Sequence, residues 1–180
     1  KQVVTRLETW PGQLSFIVIC GATGCGKSRI LHALARQGQQ VLDLEALASH
    51  KGSVLGVLPD APQPSQKMFE SRLLLALQGF EPTRPVFVEA ESRKIGSICL
   101  PNALLERIRA GVCIHVEAAF PARVDFLLRD YDYFLSAPEW LNSRLDTLKE
   151  LHSGETLAHW KDQARHGLWR ALVSELLEQH

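Results

Sequence analysis

The sequence predicts an α/β fold built on a parallel sheet, and three observations carry this prediction. Apolar, β-branched runs alternate with segments in which apolar residues recur at helical spacing. A glycine-rich loop joins the first apolar run directly to the first helical segment. Prolines stand where several of the later helices are expected to begin. Such alternation of strands and helices is typical of a parallel sheet with helices on both faces.

The first half of the chain is predicted to contain two strands and two helices. The run LSFIVIC at residues 14–20 is apolar throughout, as in a strand buried on both faces, and residues 40–44 form a second strand. Helical spacing of apolar residues predicts helices over 28–37 and 66–78. Residues 46–64 are rich in glycine, serine and proline, which indicates a long loop of the kind that is usually functional or mobile.

The second half of the chain continues the alternation. Short apolar runs at residues 86–89 and 112–117 predict the third and fourth strands. Three prolines suit the first turns of helices, namely Pro101, Pro121 and Pro138. The last helical region, residues 155–179, is expected to bend at Gly167.

The loop after the first strand carries the most specific chemistry of the chain. It spells G-x-x-x-x-G-K-S, the pattern of a phosphate-binding loop. The glycines let the backbone curl so that several N–H groups point at one anion. The lysine adds positive charge for the terminal phosphates, and the serine hydroxyl can bind Mg²⁺. This phosphate loop consists of Gly21, Ala22, Thr23, Gly24, Cys25, Gly26, Lys27 and Ser28.

The phosphate loop, in its strand–loop–helix context, refines the predicted fold class. We expect a P-loop NTPase-like α/β fold, with a parallel sheet, helices on both faces and a helical C-terminal extension. The predicted domains are a P-loop α/β domain over residues 1–135 and a C-terminal helical segment over residues 136–180, packed on the same domain.

The composition limits the class of function. The chain has 180 residues, of which 46% are apolar and 22% charged, as in ordinary soluble globular proteins. Its formal net charge is zero, so a strongly basic nucleic-acid-binding surface is not indicated, although a local patch remains open. Because no transmembrane run or signal peptide stands out, we expect a cytoplasmic protein without a membrane partner. A start at Lys1 rather than methionine suggests a piece of a larger protein.

The cysteines show neither a C-x-x-C pair nor zinc-binding spacing with histidine. Cys20 and Cys113 lie in apolar runs, so we expect small buried thiols in a reducing compartment. Cys25 lies near Lys27, whose charge favours a thiolate. Variable positions of such loops accept many residue types, and we therefore expect no catalytic role for Cys25.

Charged residues follow two of the predicted strands. Asp43 and Glu45 come at the end of the second strand, and Glu89 ends the third, directly before the run AESRK. Ligands of parallel sheets bind at the carboxyl ends of the strands. A carboxylate there can orient water on Mg²⁺ or act as a base, and the following cations can neutralise phosphate charge. An ordinary solvated turn is the alternative.

Two further segments leave alternatives open. In the long loop, residues 50–53 (HKGS) place a cation, a glycine and a hydroxyl beside a histidine, which suits either an anion contact or a solvated loop. The last third of the chain interleaves basic and aromatic side chains, including Lys161, Arg170 and Trp160. This pattern is typical of an RNA-facing surface, but an amphipathic helix with tryptophan in the core would show it as well.

Four segments, taken together and in order, resemble the bacterial tRNA 2-selenouridine synthase family. The blocks DLE…HKGS and VEAES…IG are far more specific than the phosphate loop alone. The segments are GATGCGKS, VLDLEALASHKGSVLG, PSQKMFESRL and VFVEAESRKIGSICLP, which occupy residues 21–28, 41–56, 64–73 and 86–101.

The resemblance implies an enzyme of two parts, in which a rhodanese-like domain with a reactive cysteine precedes a P-loop domain. This chain resembles the second part. The family attaches a geranyl group from geranyl diphosphate to the sulfur of 2-thiouridine at the wobble position of tRNA. It then replaces the S-geranyl group with selenium from selenophosphate. By this resemblance the P-loop domain would hold the diphosphate, with tRNA and the rhodanese-like domain as partners.

The resemblance also assigns roles to individual residues. The phosphate loop would bind the diphosphate together with His50, Lys51, Gly52, Ser53 and Ser92. The catalytic residues would be Lys27, Asp43, Glu89, Glu91 and Arg93, and Mg²⁺ would be bound by Ser28 and Glu89. Lys51 stands where we expect arginine, which keeps the charge but loses bidentate geometry. The reactive cysteine of the rhodanese-like domain has no counterpart in this P-loop part. We therefore expect that this chain alone does not complete selenium transfer.

Two other functions remain open from the residues. A small-molecule or nucleoside kinase would place ATP in the same loop and would need a base such as Asp43 beside an acceptor hydroxyl. A non-catalytic module would use bound ATP or GTP to shape a surface for tRNA, with salt-sensitive affinity. The loop does not distinguish a nucleotide from an isoprenyl diphosphate, because both present the same diphosphate to the same N–H groups.

Overall fold

A computed structural model describes residues 2–53, 55–59 and 61–179 of the chain. The chain divides into two compact units. The sheet unit contains the described residues up to 21 and those from 27 to 116. The helical unit contains residues 22–26 and the described residues from 117 onward. The sequence-based division into domains, with its boundary between residues 135 and 136, stays a prediction.

A parallel sheet of four strands forms the centre of the sheet unit. Its strands are β1 (Phe16–Cys20), β2 (Gln40–Leu42), β3 (Val86–Glu89) and β6 (Val112–His115). The order is β2–β3–β1–β6, and all neighbouring strands are parallel. The predicted α/β fold of the P-loop NTPase type is confirmed by this sheet and the helices around it.

Helices and a small hairpin complete the sheet unit. The helices are α1 (Gln2–Thr9), α2 (Lys27–Arg36), α3 (Leu44–Ala48), α4 (Gln66–Gln78) and α5 (Asn102–Arg109), with a 3-10 turn at Trp10–Gln13. The antiparallel hairpin joins β4 (Lys94–Ile95) to β5 (Ile98–Cys99). Helix α4 begins where predicted because the Ser65 side chain accepts a hydrogen bond from the backbone N–H of Met68.

The core of the sheet unit lies where α1, α4 and α5 pack with the sheet. Phe69, Leu73 and Leu77 recur on one face of α4, and all three are fully buried. Val86 and Val88 of β3 are buried in the same cluster. This packing fixes the carboxyl ends of β1, β2 and β3 relative to each other, and those ends carry the residues of the candidate site.

The helical unit packs around a buried tryptophan. Its helices are α6 (Phe120–Asp130), α7 (Asp132–Leu135), α8 (Pro138–Leu145), α9 (Gly154–Arg165) and α10 (Trp169–Gln179), with a 3-10 turn at Asp146–Leu148. Trp160 is fully buried, and its indole N–H donates to Glu175 at 3.0 Å. The expected bend at Gly167 is a break between α9 and α10, and Gly167 has a φ of +68°. Within the described residues, no helix has the length and apolar character needed to cross a membrane.

The prediction that Cys20 and Cys113 are two buried free thiols is wrong. A disulfide joins them, between the neighbouring strands β1 and β6. Cys113 is moreover exposed, as are the other residues of β6, which is an edge strand of the sheet. The apolar run indicated a strand but not its edge position, and only the fold brings the two sulfur atoms together.

Substitution of Leu73 by alanine should destabilise the protein by about 2–5 kcal/mol, because a fully buried side chain would leave a cavity in the core. Leu75 provides a matched control, since it lies on the same helix and is 73% exposed. Leu75→Ala should change the stability by less than about 0.5 kcal/mol. Denaturant unfolding followed by circular dichroism measures both values, and equal effects of the two substitutions would contradict the described orientation of α4.

Candidate functional site

Three glutamates converge at the carboxyl ends of the central strands. Glu89 is the last residue of β3 and is 8% exposed, Glu91 follows it, and Glu45 lies in α3 directly after β2. One carboxylate oxygen from each lies within 4.8 Å of the others. Since β2 and β3 are parallel neighbours, their ends lie side by side, which brings these carboxylates together. We call Glu45, Glu89 and Glu91 the carboxylate cluster.

The last two residues of the phosphate loop contact the carboxylate cluster. The Ser28 hydroxyl lies 3.2 Å from Glu45 Oε2 and 3.0 Å from Glu89 Oε2. The Lys27 ammonium forms an ion pair with Glu89 Oε1 at 3.4 Å, and both side chains are largely buried. Both residues belong to the first turn of α2, which begins at Lys27. A cation and a hydroxyl are therefore held against three acidic groups.

Two members of the carboxylate cluster, Glu45 and Glu91, have pKa values raised above that of an ordinary glutamate. Burial, followed by repulsion from Glu89 and Glu91, raises the pKa of Glu45 to about 8. Burial and repulsion from Glu89 raise the pKa of Glu91 to about 7, although the charge of Lys27 opposes this shift. Three carboxylates at this spacing thus favour a bound proton or a bound cation at neutral pH.

The donor set of the cluster fits Mg²⁺. Carboxylate and hydroxyl oxygens are the ligands that this ion prefers in proteins. Ser28 and Glu89 are the predicted metal ligands, and they lie in hydrogen-bond contact with each other. Glu45 also contacts Ser28. From the sequence, Glu45 was named as a carboxylate at the end of the second strand but was assigned no specific role in the site. Its place in the DLE block, directly after the second strand, was the available signal.

The HKGS segment lies against the carboxylate cluster through its glycine. Gly52 has a φ of +60°, and a Cβ atom there would lie 2.7 Å from Glu45 Oε1 and 3.0 Å from Glu91 Oε1. Backbone bonds keep the loop compact, since Lys51 N–H donates to the Gly56 carbonyl at 2.8 Å. The loop therefore covers the two glutamates, which contributes to the burial that raises the pKa of each.

His50 occupies a packed position. The residue is 4% exposed, and its ring lies between two glycines: a Cβ atom on Gly56 or on Gly96 would come within 2.9 Å of a ring carbon. Burial lowers the pKa of His50, which favours the neutral ring. Its Nδ1 atom is buried without a hydrogen-bond partner among the described residues. Ligand binding by His50 stays a prediction, and the packing gives the ring a role in supporting the loop.

The remaining predicted residues of the sheet unit lie around the cluster without joining it. The Asp43 carboxylate caps α3 by accepting from Ala46 N–H at 2.8 Å, and its other oxygen lies 3.0 Å from His32 Nε2. The Ser92 hydroxyl donates to the Lys94 carbonyl and supports the start of the hairpin. The Arg93 side chain is exposed. Catalytic or binding roles for these residues stay predictions.

The middle of the phosphate loop, residues 22–26, belongs to the helical unit. Cys25 N–H donates to the Ala22 carbonyl at 3.2 Å, and the Arg123 Nε–H of α6 donates to the Thr23 carbonyl at 2.8 Å. Gly24 and Gly26 have φ values of +84° and +77°, which glycine adopts readily. Two glycines of the sequence motif, Gly24 and Gly26, thus occupy positions where the backbone has a positive φ.

Two of the basic residues of the last third, Lys161 and Arg170, form ion pairs with acidic neighbours in the helical unit. Lys161 pairs with Asp146, and Arg170 pairs with Asp125. Trp160 lies in the core rather than on a surface. For Trp160 the amphipathic-helix alternative is therefore correct, and an RNA-facing role for the basic residues stays a prediction.

Comparison with known proteins decides the family. A family profile described as the tRNA 2-selenouridine synthase AAA domain matches residues 14–179. The chain belongs to the tRNA 2-selenouridine synthase family. The resemblance noted from the four sequence segments is thereby confirmed, and the carboxylate cluster and the phosphate loop both lie within the matched AAA domain.

Relatives from several bacteria bear the family's name. The chain is 37% identical to the tRNA 2-selenouridine synthase of Nitrosomonas europaea over 132 residues, which cover 72% of this chain and 34% of that protein. It is 37% identical to the one from Alcanivorax borkumensis over 72% of this chain and 35% of that protein. It is 38% identical to the one from Cupriavidus pinatubonensis over 75% of this chain and 36% of that protein. The chain thus spans about a third of the length of these curated relatives. No solved structure matches it significantly.

The stability of the free protein should fall as the pH rises through the range in which Glu45 ionises. Its folded pKa of about 8 lies above the ordinary glutamate value of 4.5, so the folded state retains a proton that the unfolded state releases. Glu45→Gln cannot ionise. Between about pH 5 and about pH 9 it should gain at least about 1.4 kcal/mol over wild type, the equivalent of one pKa unit after allowance for solvent screening.

Denaturant unfolding in the presence of a chelator, at several pH values, measures this gain. Glu106→Gln is the control, because Glu106 is exposed on α5 of the same unit. A gain of Glu45→Gln that does not depend on pH would contradict the burial of this carboxyl group.

Gly52→Ala should destabilise the protein by about 1–3 kcal/mol, because alanine is strained at this positive φ and its Cβ would press on Glu45 and Glu91. Gly12→Ala serves as the control, since a Cβ at Gly12 would meet nothing within 4 Å. Thermal unfolding compares the two. Wild-type stability of Gly52→Ala would show that the loop does not lie against the carboxylate cluster.

Proposed function

We propose that this chain is the diphosphate-binding part of a tRNA 2-selenouridine synthase. It would bind geranyl diphosphate with the diphosphate in the phosphate loop, and it would contribute to S-geranylation and selenation of wobble 2-thiouridine in tRNA. The observation that carries the proposal is the contact of Lys27 and Ser28 with the carboxylate cluster, in a chain that belongs to this family. The proposed enzyme class is accordingly a transferase.

The proposed geranylation makes specific demands on the site. The sulfur of 2-thiouridine would attack the C1 carbon of the geranyl group, and the bond from C1 to the diphosphate oxygen would break. The diphosphate would leave with the electron pair and the nucleobase would release its N3 proton to solvent. Negative charge on the diphosphate therefore grows in the transition state. Groups that bind this charge more strongly as it grows would accelerate the step.

The residues of the chain supply such groups. Lys27 would turn from Glu89 toward the diphosphate, and the N–H groups of the phosphate loop would bind its oxygens. Ser28 and Glu89, with Glu45 and Glu91 beside them, would hold Mg²⁺. Bound Mg²⁺ would supply positive charge to the leaving diphosphate and remove the repulsion within the carboxylate cluster.

The kinase alternative has less support from the geometry. A kinase would need a base beside its acceptor hydroxyl, and Asp43 was the candidate for that role. The two oxygens of Asp43 are engaged with Ala46 N–H and with His32. These contacts give Asp43 a structural role as the cap of α3 rather than the role of a base. The binding of ATP and GTP should still be compared with that of geranyl diphosphate.

Membership of the family supports the partners that we propose for the reaction. We infer that tRNA is the substrate and that selenophosphate supplies the selenium. The relatives are about three times as long as the matched segment. This length is compatible with a rhodanese-like domain in the same polypeptide, which we propose as the second part of the enzyme.

Lys27→Ala should weaken the binding of geranyl diphosphate in the presence of Mg²⁺ by about tenfold or more, because the variant lacks a charge-assisted contact to the diphosphate. Isothermal titration calorimetry measures the affinity. Arg36→Ala is the matched control, since Arg36 is an exposed cation at the other end of α2, and it should bind as wild type does.

The same titration separates the alternatives. Absence of binding by wild type, or equal affinity of wild type and Lys27→Ala, would refute the diphosphate assignment. Tighter binding of ATP than of geranyl diphosphate, with turnover to a phosphorylated small molecule, would favour the kinase instead.

A further inference from the structure

Helix α6 holds the middle of the phosphate loop, within the helical unit. The Arg123 Nε–H donates to the Thr23 carbonyl at 2.8 Å. The backbone of Arg123 faces Gly24 so closely that a Cβ on Gly24 would lie 3.0 Å from the Arg123 carbonyl oxygen. The ring of Phe126 would lie 3.5 Å from a Cβ on Gly26. Two residues of α6, Arg123 and Phe126, therefore lie against the loop near Thr23, Gly24 and Gly26.

The hydrogen bond from Arg123 sets the orientation of one peptide group. In a trans peptide the carbonyl and the following N–H point in opposite directions. The bond draws the Thr23 carbonyl toward α6, so the N–H of Gly24 points away from the helix. The φ of +84° at Gly24 is part of the same arrangement, which alanine would adopt only under strain.

The surroundings of Arg123 hold its side chain in place. The guanidinium carbon lies 6.0 Å from the centroid of the Phe120 ring, one helical turn earlier, in a cation–π arrangement. Asp125, an acidic neighbour on α6, pairs with Arg170 of α10 instead. The Arg123 charge is thus directed to the loop by the hydrogen bond to Thr23.

We propose that Arg123 is a positioning residue of the phosphate loop, which orients the Thr23–Gly24 peptide for binding a diphosphate oxygen. This proposal rests on the proposed function for its ligand. The residue acts through the loop backbone, and its two remaining guanidinium nitrogens add positive charge beside the loop. Neither the sequence motif nor the family comparison assigns this role, because Arg123 lies far from the loop in sequence.

The test uses inorganic pyrophosphate with Mg²⁺ as the probe, measured by calorimetry on the full chain. Arg123→Gln should weaken binding by about tenfold or more, as expected for loss of a charge-assisted contact. Arg123→Lys should restore only part of the affinity, because lysine keeps the charge but lacks the fork of donors. Arg129→Gln is the control, since it removes an exposed charge from the same helix.

Chemical rescue separates positioning from general stability. Added methylguanidinium should restore more of the pyrophosphate affinity of Arg123→Ala than methylammonium does, because only methylguanidinium has the planar donor geometry. Wild-type affinity of Arg123→Gln or Arg123→Lys would overturn the proposal. A loss in Arg129→Gln that equals the loss in Arg123→Gln would overturn it as well.

A second measurement keeps this proposal distinct from the proposed function. Should wild type bind no pyrophosphate, the proposed function fails, and hydrogen exchange of the free protein decides the role of Arg123. Faster exchange over residues 22–26 in Arg123→Gln than in Arg129→Gln would support the proposal that Arg123 positions the phosphate loop. Equal exchange in the two variants would overturn it.

Discussion

The crowding of three carboxylates around one lysine and one serine is the constraint on which the site depends. Glu45, Glu89 and Glu91 meet because parallel strands end side by side, and burial makes their mutual repulsion strong. A buried acidic cluster of this kind is costly unless protons, Lys27 or a divalent cation offset the charge. A diphosphate that arrives with Mg²⁺ would bring both the cation and the anion for which the phosphate loop is built.

Two features of the sheet unit support this arrangement. Packing of α4 and α5 with the sheet fixes the strand ends that carry the carboxylates. The HKGS segment, held compact by backbone bonds, covers Glu45 and Glu91 through Gly52. Within the helical unit, α6 holds the middle of the phosphate loop through Arg123. Residues distant in sequence therefore determine how the short loop motif presents its donors.

Much of the fold could be predicted from the sequence because strong local patterns specify it. The apolar run of β1 and the spacing on α4 identify both elements nearly to the residue. Helix α1 was not predicted, because it has only eight residues and no capping signal. So short a segment shows too little periodicity of apolar residues to identify a helix. The β4–β5 hairpin has two residues in each strand, and the side chain of Gln66 holds it by exchanging hydrogen bonds with the backbone of Cys99. Such long-range contacts have no local signal.

The site shows the same division between local and long-range information. Lys27 and Ser28 follow from the loop motif, and Glu45 and Glu89 follow from the strand ends. The contact of Glu45 with Ser28, however, depends on where α3 places the side chain. The role of the carboxylate cluster can be tested through the Mg²⁺ dependence of pyrophosphate binding, measured by calorimetry with Mg²⁺ and with a chelator. We expect affinity at least about tenfold higher with Mg²⁺, and loss of this difference in Glu89→Gln. Affinity that is independent of Mg²⁺ in wild type would contradict the central claim.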